Sequence, residues 1–371
     1  MDSADDERFM ALALALGRRG LGRTWPNPAV GAVIVQDGVI VGRGWTQPGG
    51  RPHGETEALR RAGKAARGAT LYVTLEPCSH QGKTPPCADA IIRAGIARVV
   101  SSLEDPNPVV AGQGHARLRE RGIAVDIGLG AEQARRTNAG HIRRMREGRP
   151  QVLLKLAVSA DGKAGLAGRK PVGITGEPAR VRVHLMRAQS DAILVGIGTV
   201  LSDDPHLTCR LPGMLERSPV RVVLDARLRA PLASSVVATA RETPTWVFGA
   251  SDASTLAEEI LQAKGVEVLR VAASDGQLDL VQVLRKLAER GITRVMVEGG
   301  PTLAASFVRA NLVDEVALLR SPHPIGADGI DALEGLPLTA LTQSPRLKLV
   351  ASETVNGDTL ERFERTQSEF R

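Results

Sequence analysis

The chain has 371 residues, 43% of them hydrophobic, a length that suits two domains with ordinary globular cores. Aromatics make up only 2%, which leaves those cores aliphatic and excludes a base-stacking platform for single-stranded nucleic acid. The net charge of +7 is spread along the chain without a long basic run, so it argues for solubility and for phosphorylated ligands, not for a polynucleotide partner.

The three cysteines, Cys78, Cys87 and Cys209, are too few for a disulfide framework and fit a reducing compartment. The opening residues are acidic and lack the basic start and apolar run of a signal peptide. No stretch approaches the ~20 apolar residues of a membrane span. A soluble, cytoplasmic protein with no membrane partner is expected.

In chain order, Phe9 to Leu16 reads as an apolar helix. Ala29 to Val35 and Val39 to Trp45 read as strands joined by the hairpin dipeptide Asp37-Gly38. A helix over 55–66, a strand over 69–75, a helix over 87–94, a strand over 97–102, a helix over 115–121 and a strand over 123–127 follow. Such alternation predicts a layered α/β domain. Residues 131–147, rich in arginine, read as one solvated helix ending at Gly148, and the boundary is placed there: 1–148 and 149–371. The second half begins with a strand over 152–158, then a helix over 178–188 and strands over 191–195, 220–224, 245–248 and 266–271. A helix over 278–290 has apolar residues at helical spacing, and the strand 294–297 runs into Glu298-Gly299-Gly300-Pro301. The last pair, 347–355 and 359–363, turns through Asn356-Gly357.

The sharpest chemical signal is His53-Gly54-Glu55 followed by Pro77-Cys78 and Pro86-Cys87. One imidazole and two thiolates would hold Zn2+ and leave its fourth position open to water, which marks a catalytic site. Zinc brings the pKa of its water to about 7, and Glu55 is then free to shuttle the proton from water to a ring nitrogen and to departing ammonia. The short form of this motif has two residues between its cysteines; here there are eight, so the loop is enlarged. A closed structural zinc site with His80 as fourth ligand is the plainer alternative, and Glu76 could be an ordinary strand-end carboxylate. In the second half, the two glycines of Glu298-Gly299-Gly300-Pro301-Thr302 end a strand and open a helix, which suits a pyrophosphate. The full dinucleotide fingerprint of a Rossmann fold is missing.

The enlarged loop from Pro77 to Cys87, together with Pro26-Asn27-Pro28-Ala29-Val30-Gly31 and Asp105-Pro106-Asn107-Pro108, resembles the bifunctional deaminase–reductases of riboflavin biosynthesis over nearly the whole chain. That resemblance implies a cytidine-deaminase-like three-layer α/β domain followed by a dihydrofolate-reductase-like domain. It implies Zn2+ and NADPH as cofactors, and a homo-oligomer. The implied substrate is 2,5-diamino-6-ribosylamino-4(3H)-pyrimidinone 5′-phosphate, deaminated and then reduced at its ribosyl group. Asn27, His80, Lys83 and Asn107 would bind it in the first domain, and Arg187, Leu207, Arg210 and Glu298 in the second. Ala157, Thr175, Thr199, Asp203, Gly299, Gly300, Pro301 and Thr302 would meet NADPH. Lys155 and Asp203 would assist protonation near the hydride acceptor. Two departures from the family pattern stand out. Gly54 replaces the usual Ala, with little expected consequence. Pro171-Val172-Gly173 replaces a Ser-x-Trp, which predicts weaker or rearranged NADPH binding. The competing functions are a zinc deaminase of tRNA or another polynucleotide, and a non-catalytic zinc-stabilised nucleotide-binding module.

Overall fold

The computed structural model describes residues 3–82, 84–107, 110–166 and 173–366. The chain divides into two compact units, Met1–Arg149 and Pro150–Arg371.

The first unit contains α1 (Ser3–Arg18), β1 (Gly31–Gln36), β2 (Val39–Trp45), α2 (Gly54–Ala62), β3 (Thr70–Val73), α3 (Cys87–Ala94), β4 (Arg98–Ser101), α4 (Gln113–Arg119), β5 (Ala124–Ile127), α5 (Ala131–Thr137) and α6 (Ala139–Glu147). Its sheet runs β2-β1-β3-β4-β5, with β1 antiparallel to both neighbours and β3, β4 and β5 parallel. The β1–β2 hairpin turns at Asp37 and Gly38, both at positive φ, as their sequence demands. Ala32 pairs with Gly44, so these two share a face while Gly31 points to the other. A Cβ on Gly31 would lie 1.9 Å from the Ala13 carbonyl of α1, and one on Gly44 2.3 Å from the Gly54 carbonyl of α2. α1 and α2 therefore cover opposite faces, giving three layers. The core between them is aliphatic, with Val33, Ile34, Leu71, Ile91 and Val99 fully buried.

Residues 131–147 do not form the single solvated helix that their sequence suggests. Asn138 leaves the helical region (φ −99°, ψ 13°) and separates α5 from α6. His141 and Arg143 of α6 are buried. Arg143 is neutralised by Glu147 one turn on, at 2.5 Å, which explains how so basic a segment turns inward.

The second unit contains β6 (Gln151–Val158), β7 (Lys163–Gly165), α7 (Glu177–Ala188), β8 (Ala192–Gly196), α8 (Ile197–Asp203), β9 (Val220–Leu224), α9 (Ser235–Ala238), β10 (Thr245–Ala250), α10 (Thr255–Ala263), β11 (Glu267–Val271), β12 (Ala273–Ser274) and β13 (Gln277–Leu278). It continues with α11 (Leu280–Glu289), β14 (Arg294–Val297), α12 (Pro301–Arg309), β15 (Glu315–Arg320), β16 (Ile330–Asp331), α13 (Thr339–Thr342), β17 (Leu347–Val355) and β18 (Asp358–Arg365). The main sheet is ordered β11-β10-β9-β8-β14-β6-β15-β18-β17. It is parallel from β11 to β15, and the β17–β18 hairpin adds an antiparallel edge. The central strands β8, β9 and β14 are almost wholly buried, which is why they read as continuous apolar runs. In such a sheet the crevice beyond the carboxyl ends of the strands is the place for a ligand. No helix among the described residues is long and apolar enough to cross a membrane.

Candidate active sites

In the first unit, α2 begins directly after His53, and α3 begins at Cys87 with Pro86 before it. Cys78 lies in the loop beyond β3. The His53 Nδ1 atom is 3.3 Å from the Cys87 Sγ and 3.7 Å from the Cys78 Sγ. A tetrahedral zinc with ordinary bond lengths spaces such a nitrogen and sulfur by about 3.6 Å. One ligand atom from each of the three residues lies within 4.8 Å of the others. The Cys78 thiol is drawn down to about 4, first by a hydrogen bond from Cys87 and then by His53 and the Cys87 amide. The Cys87 thiol is pushed up, by Cys78 and by burial. One proton is thus left between two crowded sulfurs, the arrangement a cation resolves by replacing it. The donor set fits zinc.

Glu55 sits in the first turn of α2, 3% exposed, beside this triad and outside it. Burial pushes its carboxyl up, opposed by the charge of His53. His80 is exposed and is not among the donors that meet, so the closed site with His80 as ligand is not what forms. Asn27 donates to the Gly50 carbonyl (2.7 Å) and its amide nitrogen lies 3.5 Å from His53 Nε2. Asp105 lies within the electrostatic reach of Cys78 and His80, and accepts the Asn107 amide at 2.8 Å, so Asn107 is set in a tight turn. Lys83 lies outside the described residues.

Two features escaped the sequence reading. Glu76 is no ordinary strand-end carboxylate. It is buried, and its two oxygens accept the amides of Asp105 (2.9 Å), Gly112 (2.9 Å), Gly114 (2.7 Å) and His115 (3.3 Å). This one side chain organises the loop carrying Asp105 and Asn107. Glu76, Glu104 and His115 also form a second cluster with metal-ligand spacing, but the four amides already fill the Glu76 oxygens. Gly54 is also tighter than expected: a Cβ there would lie 2.7 Å from the Val30 carbonyl.

In the second unit, a cavity of about 710 Å³ opens at the carboxyl ends of β8, β9 and β14. Thr199 and Asp203 of α8, and Gly300, Pro301 and Thr302 at the start of α12, line it. Gly299 precedes them, and a Cβ there would lie 2.5 Å from the Leu303 side chain. Ala157 and Thr175 are not among the lining residues. Ala157 is half-buried on β6, two residues from Lys155 and therefore on the same face. Pro171 and Val172 lie outside the described residues, and Gly173 is exposed.

A second group of polar residues gathers around Glu298. The Arg187 guanidinium grips Glu298 through two bonds of 2.7 and 2.8 Å and donates to the Thr208 carbonyl at 3.0 Å. Burial pushes the Glu298 carboxyl up, but Arg187 and Lys155 hold it below its usual range. Burial pulls the Lys155 ammonium down, against Glu298. Arg210 is exposed and within electrostatic reach of Arg187 and Glu298. The Arg187 fork, assigned to the substrate from the sequence, is engaged by Glu298 in the structure. The Leu207 side chain is 3% exposed and packs in the core, which leaves its backbone for a ligand. Cys209 is buried, with its thiol 3.4 Å from the His184 carbonyl.

Residues 3–103 match the cytidine and deoxycytidylate deaminase zinc-binding region, and residues 150–360 match the RibD C-terminal domain. The chain is 44% identical to riboflavin biosynthesis protein RibD of Escherichia coli, over 95% of this chain and 97% of that one. It is 43% identical to RibD of Bacillus amyloliquefaciens, over 93% and 96% of the two chains. Among solved structures, RibD of Acinetobacter baumannii is similar over 99% of this chain and 100% of its own, with a TM-score of 0.87 at 36% identity. A diaminohydroxyphosphoribosylaminopyrimidine deaminase/5-amino-6-(5-phosphoribosylamino)uracil reductase of Thermotoga maritima is similar over 98% and 99%, with a TM-score of 0.85 at 38% identity. The architecture is that of a cytidine-deaminase-like three-layer unit followed by a dihydrofolate-reductase-like unit. With both units matched and the full length shared, the chain belongs to the RibD family and is a bifunctional riboflavin-biosynthesis enzyme, a zinc-dependent deaminase and an NADPH-dependent reductase in one polypeptide.

Proposed function

We propose that the substrate is 2,5-diamino-6-ribosylamino-4(3H)-pyrimidinone 5′-phosphate, deaminated by the first unit and then reduced from ribosyl to ribityl by the second. The observation that carries this reading is the meeting of His53, Cys78 and Cys87, with Glu55 buried beside them and outside the donor set. These three residues hold the zinc. Zinc so held supplies a Lewis acid that makes water acidic enough to attack at neutral pH. Glu55 accepts a proton from the attacking water on a carboxylate oxygen and passes protons to the ring nitrogen and to the departing amine, which leaves as ammonia. Its raised affinity for a proton suits a group that must both take and give one. Asn27 and Asn107 present amides to the pyrimidine edge. His80 would meet the ribose phosphate, and Lys83 is assigned to the same group.

In the second unit NADPH would be held in the 710 Å³ cavity that Thr199, Asp203, Gly300, Pro301 and Thr302 line. Gly299 would let the backbone come close to it, and Ala157 and Thr175, outside the cavity lining, would contact the same cofactor. NADPH supplies the hydride for the opened ribose. Lys155, with its ammonium pulled down by burial, is suited to give up a proton to the oxygen or nitrogen that the hydride leaves negative. The Glu298 carboxylate attracts that ammonium while it pairs with Arg187, and the pair binds polar groups of the substrate, with Arg210 and the Leu207 backbone toward its phosphate. Asp203 also lines the cavity and would assist protonation there. The thiolate ligands need a reducing cytoplasm, the substrate is a small molecule and not a polynucleotide, and the enzyme works as a homo-oligomer.

Product analysis with and without NADPH tests the sequence of steps. Ammonia should appear without NADPH, and NADPH oxidation should start only once deaminated product has formed. NADPH oxidation by the untouched diamino substrate, with no ammonia, would contradict the assignment.

A further inference from the structure

In the first unit a short arch, residues 47–52, leads directly into the metal ligand His53. The Gln47 amide donates to the Pro52 carbonyl at 3.0 Å and closes the arch. Gly50, at positive φ (83°), offers its carbonyl to the Asn27 amide at 2.7 Å. Arg51 therefore stands between a residue tied to Asn27 and the His53 ligand, and its charge reaches the His53 imidazole.

From the arch the Arg51 side chain crosses to the enlarged loop between Cys78 and Cys87. Its guanidinium donates to the Thr84 hydroxyl, and a Cβ on Gly82 would lie 3.2 Å from its Nη2. A second arginine, Arg117 of α4, holds the start of the same loop by donating to the Ser79 carbonyl at 3.1 Å. The two differ in charge balance. Arg117 is paired with Asp89 at 2.7 Å. Arg51 is half-buried, makes no ion pair among the described residues and gives an N–H to one neutral hydroxyl, which leaves most of its fork unused. A guanidinium drawn partly out of water without a counter-charge is unfavourable until an anion meets it.

A planar fork with free N–H groups matches the oxygens of a phosphate monoester. The loop that Arg51 reaches carries His80 and Lys83, the residues assigned to the ribose phosphate. We propose that Arg51 binds the 5′-phosphate of the substrate and makes the first unit select the phosphorylated over the unphosphorylated nucleoside. This inference rests on the reading of the substrate as a ribosyl 5′-phosphate. It brings the arch before the metal ligand, and not the enlarged loop alone, into phosphate recognition. Thr84 holds the guanidinium toward the loop in advance of the ligand.

The test is ammonia release by the full-length, zinc-loaded protein, measured on the proposed substrate and on the same nucleoside without its phosphate, with bound zinc determined in each variant. The wild type should prefer the phosphorylated compound in kcat/KM. Arg51→Gln should lower that preference by about tenfold or more, with the loss in KM and with zinc retained. Arg51→Lys keeps the charge and should retain more of the preference than Arg51→Gln. Thr84→Val removes the hydroxyl contact but leaves the guanidinium, and should keep the preference within about twofold, which separates phosphate binding from a mere tie between arch and loop. A preference unchanged in Arg51→Gln, an equal loss in Thr84→Val, or loss of zinc from Arg51→Gln would overturn the inference and leave the substrate reading in place. A wild type that shows no preference would sink both.

Discussion

Gly54 separates the His53 imidazole from the Glu55 carboxyl and packs where a methyl group has no room. Substituting Ala would gain about 1 kcal/mol of helix propensity at most. Pressing a carbon to 2.7 Å from the Val30 carbonyl costs about 1–3 kcal/mol. Gly54→Ala should therefore be net destabilising and displace His53 and Glu55 slightly, read as a lower urea midpoint together with reduced ammonia release. Unchanged stability would mean that the chain yields at Val30, just before β1, without cost. The chemistry-bearing residues of this site were legible in the sequence because ligand type and spacing are dictated by the metal. The space around Gly54 was not, since it depends on β1 and β2 passing close to α2. The surroundings of Arg187 and Leu207 were hidden for the same reason: a carboxylate 111 positions away engages the arginine, and the core takes the leucine side chain.

At the scale of elements, the loop from Asp105 to His115 is held by the four amides on Glu76. Glu76→Gln keeps the shape but replaces one acceptor oxygen by a donor that faces buried N–H groups. It should cost about 1–3 kcal/mol per amide left unpaired, seen as faster hydrogen exchange at Gly112 and Gly114. Exchange at the wild-type rate would show that the carboxylate is not the tie. Helix α6 supplies a pH-dependent term. His141 is buried, neither ring nitrogen has a hydrogen-bond partner among the described residues, and burial, with Arg144, brings its pKa down to about 4. Above about pH 6.5 it is neutral folded or unfolded, so its contribution is complete. Between 6.5 and 4 only the unfolded chain takes up the proton, and roughly 3 kcal/mol of stability is lost as pH falls. Burial shifts His115 in the same direction. The urea midpoint of the first unit should fall across this window, and His141→Leu should flatten the fall; an equally steep fall in the variant would place its cause elsewhere. Strands and the two hairpins were readable from apolar runs and from Asp37-Gly38 and Asn356-Gly357. The break at Asn138 was not, because helix-forming residues lie on both sides of it and an arginine-rich segment gives no hint of being buried.

For the whole molecule, each unit has its own sheet and its own aliphatic core. The zinc donors all lie in the first and the cofactor cavity lies in the second. Chelation of the metal should therefore stop ammonia release and lower the thermal stability of the first unit, while NADPH affinity measured by fluorescence stays within about twofold. A parallel loss of NADPH binding would show that the second unit depends on the metal. The two-part architecture was legible from motif order alone, because each site draws its residues from a continuous stretch of the chain. Which residues pair inside the second site depends on strands β6, β8 and β14 lying side by side, and no local pattern announces that order.

The central claim is that Glu55 moves the proton while His53, Cys78 and Cys87 hold the metal. It is tested most directly by measuring bound zinc and ammonia release together in Glu55→Gln protein. Zinc should stay at the wild-type level while ammonia release falls by about 10²-fold or more. Release at the wild-type rate with zinc in place, or loss of zinc with the substitution, would contradict it.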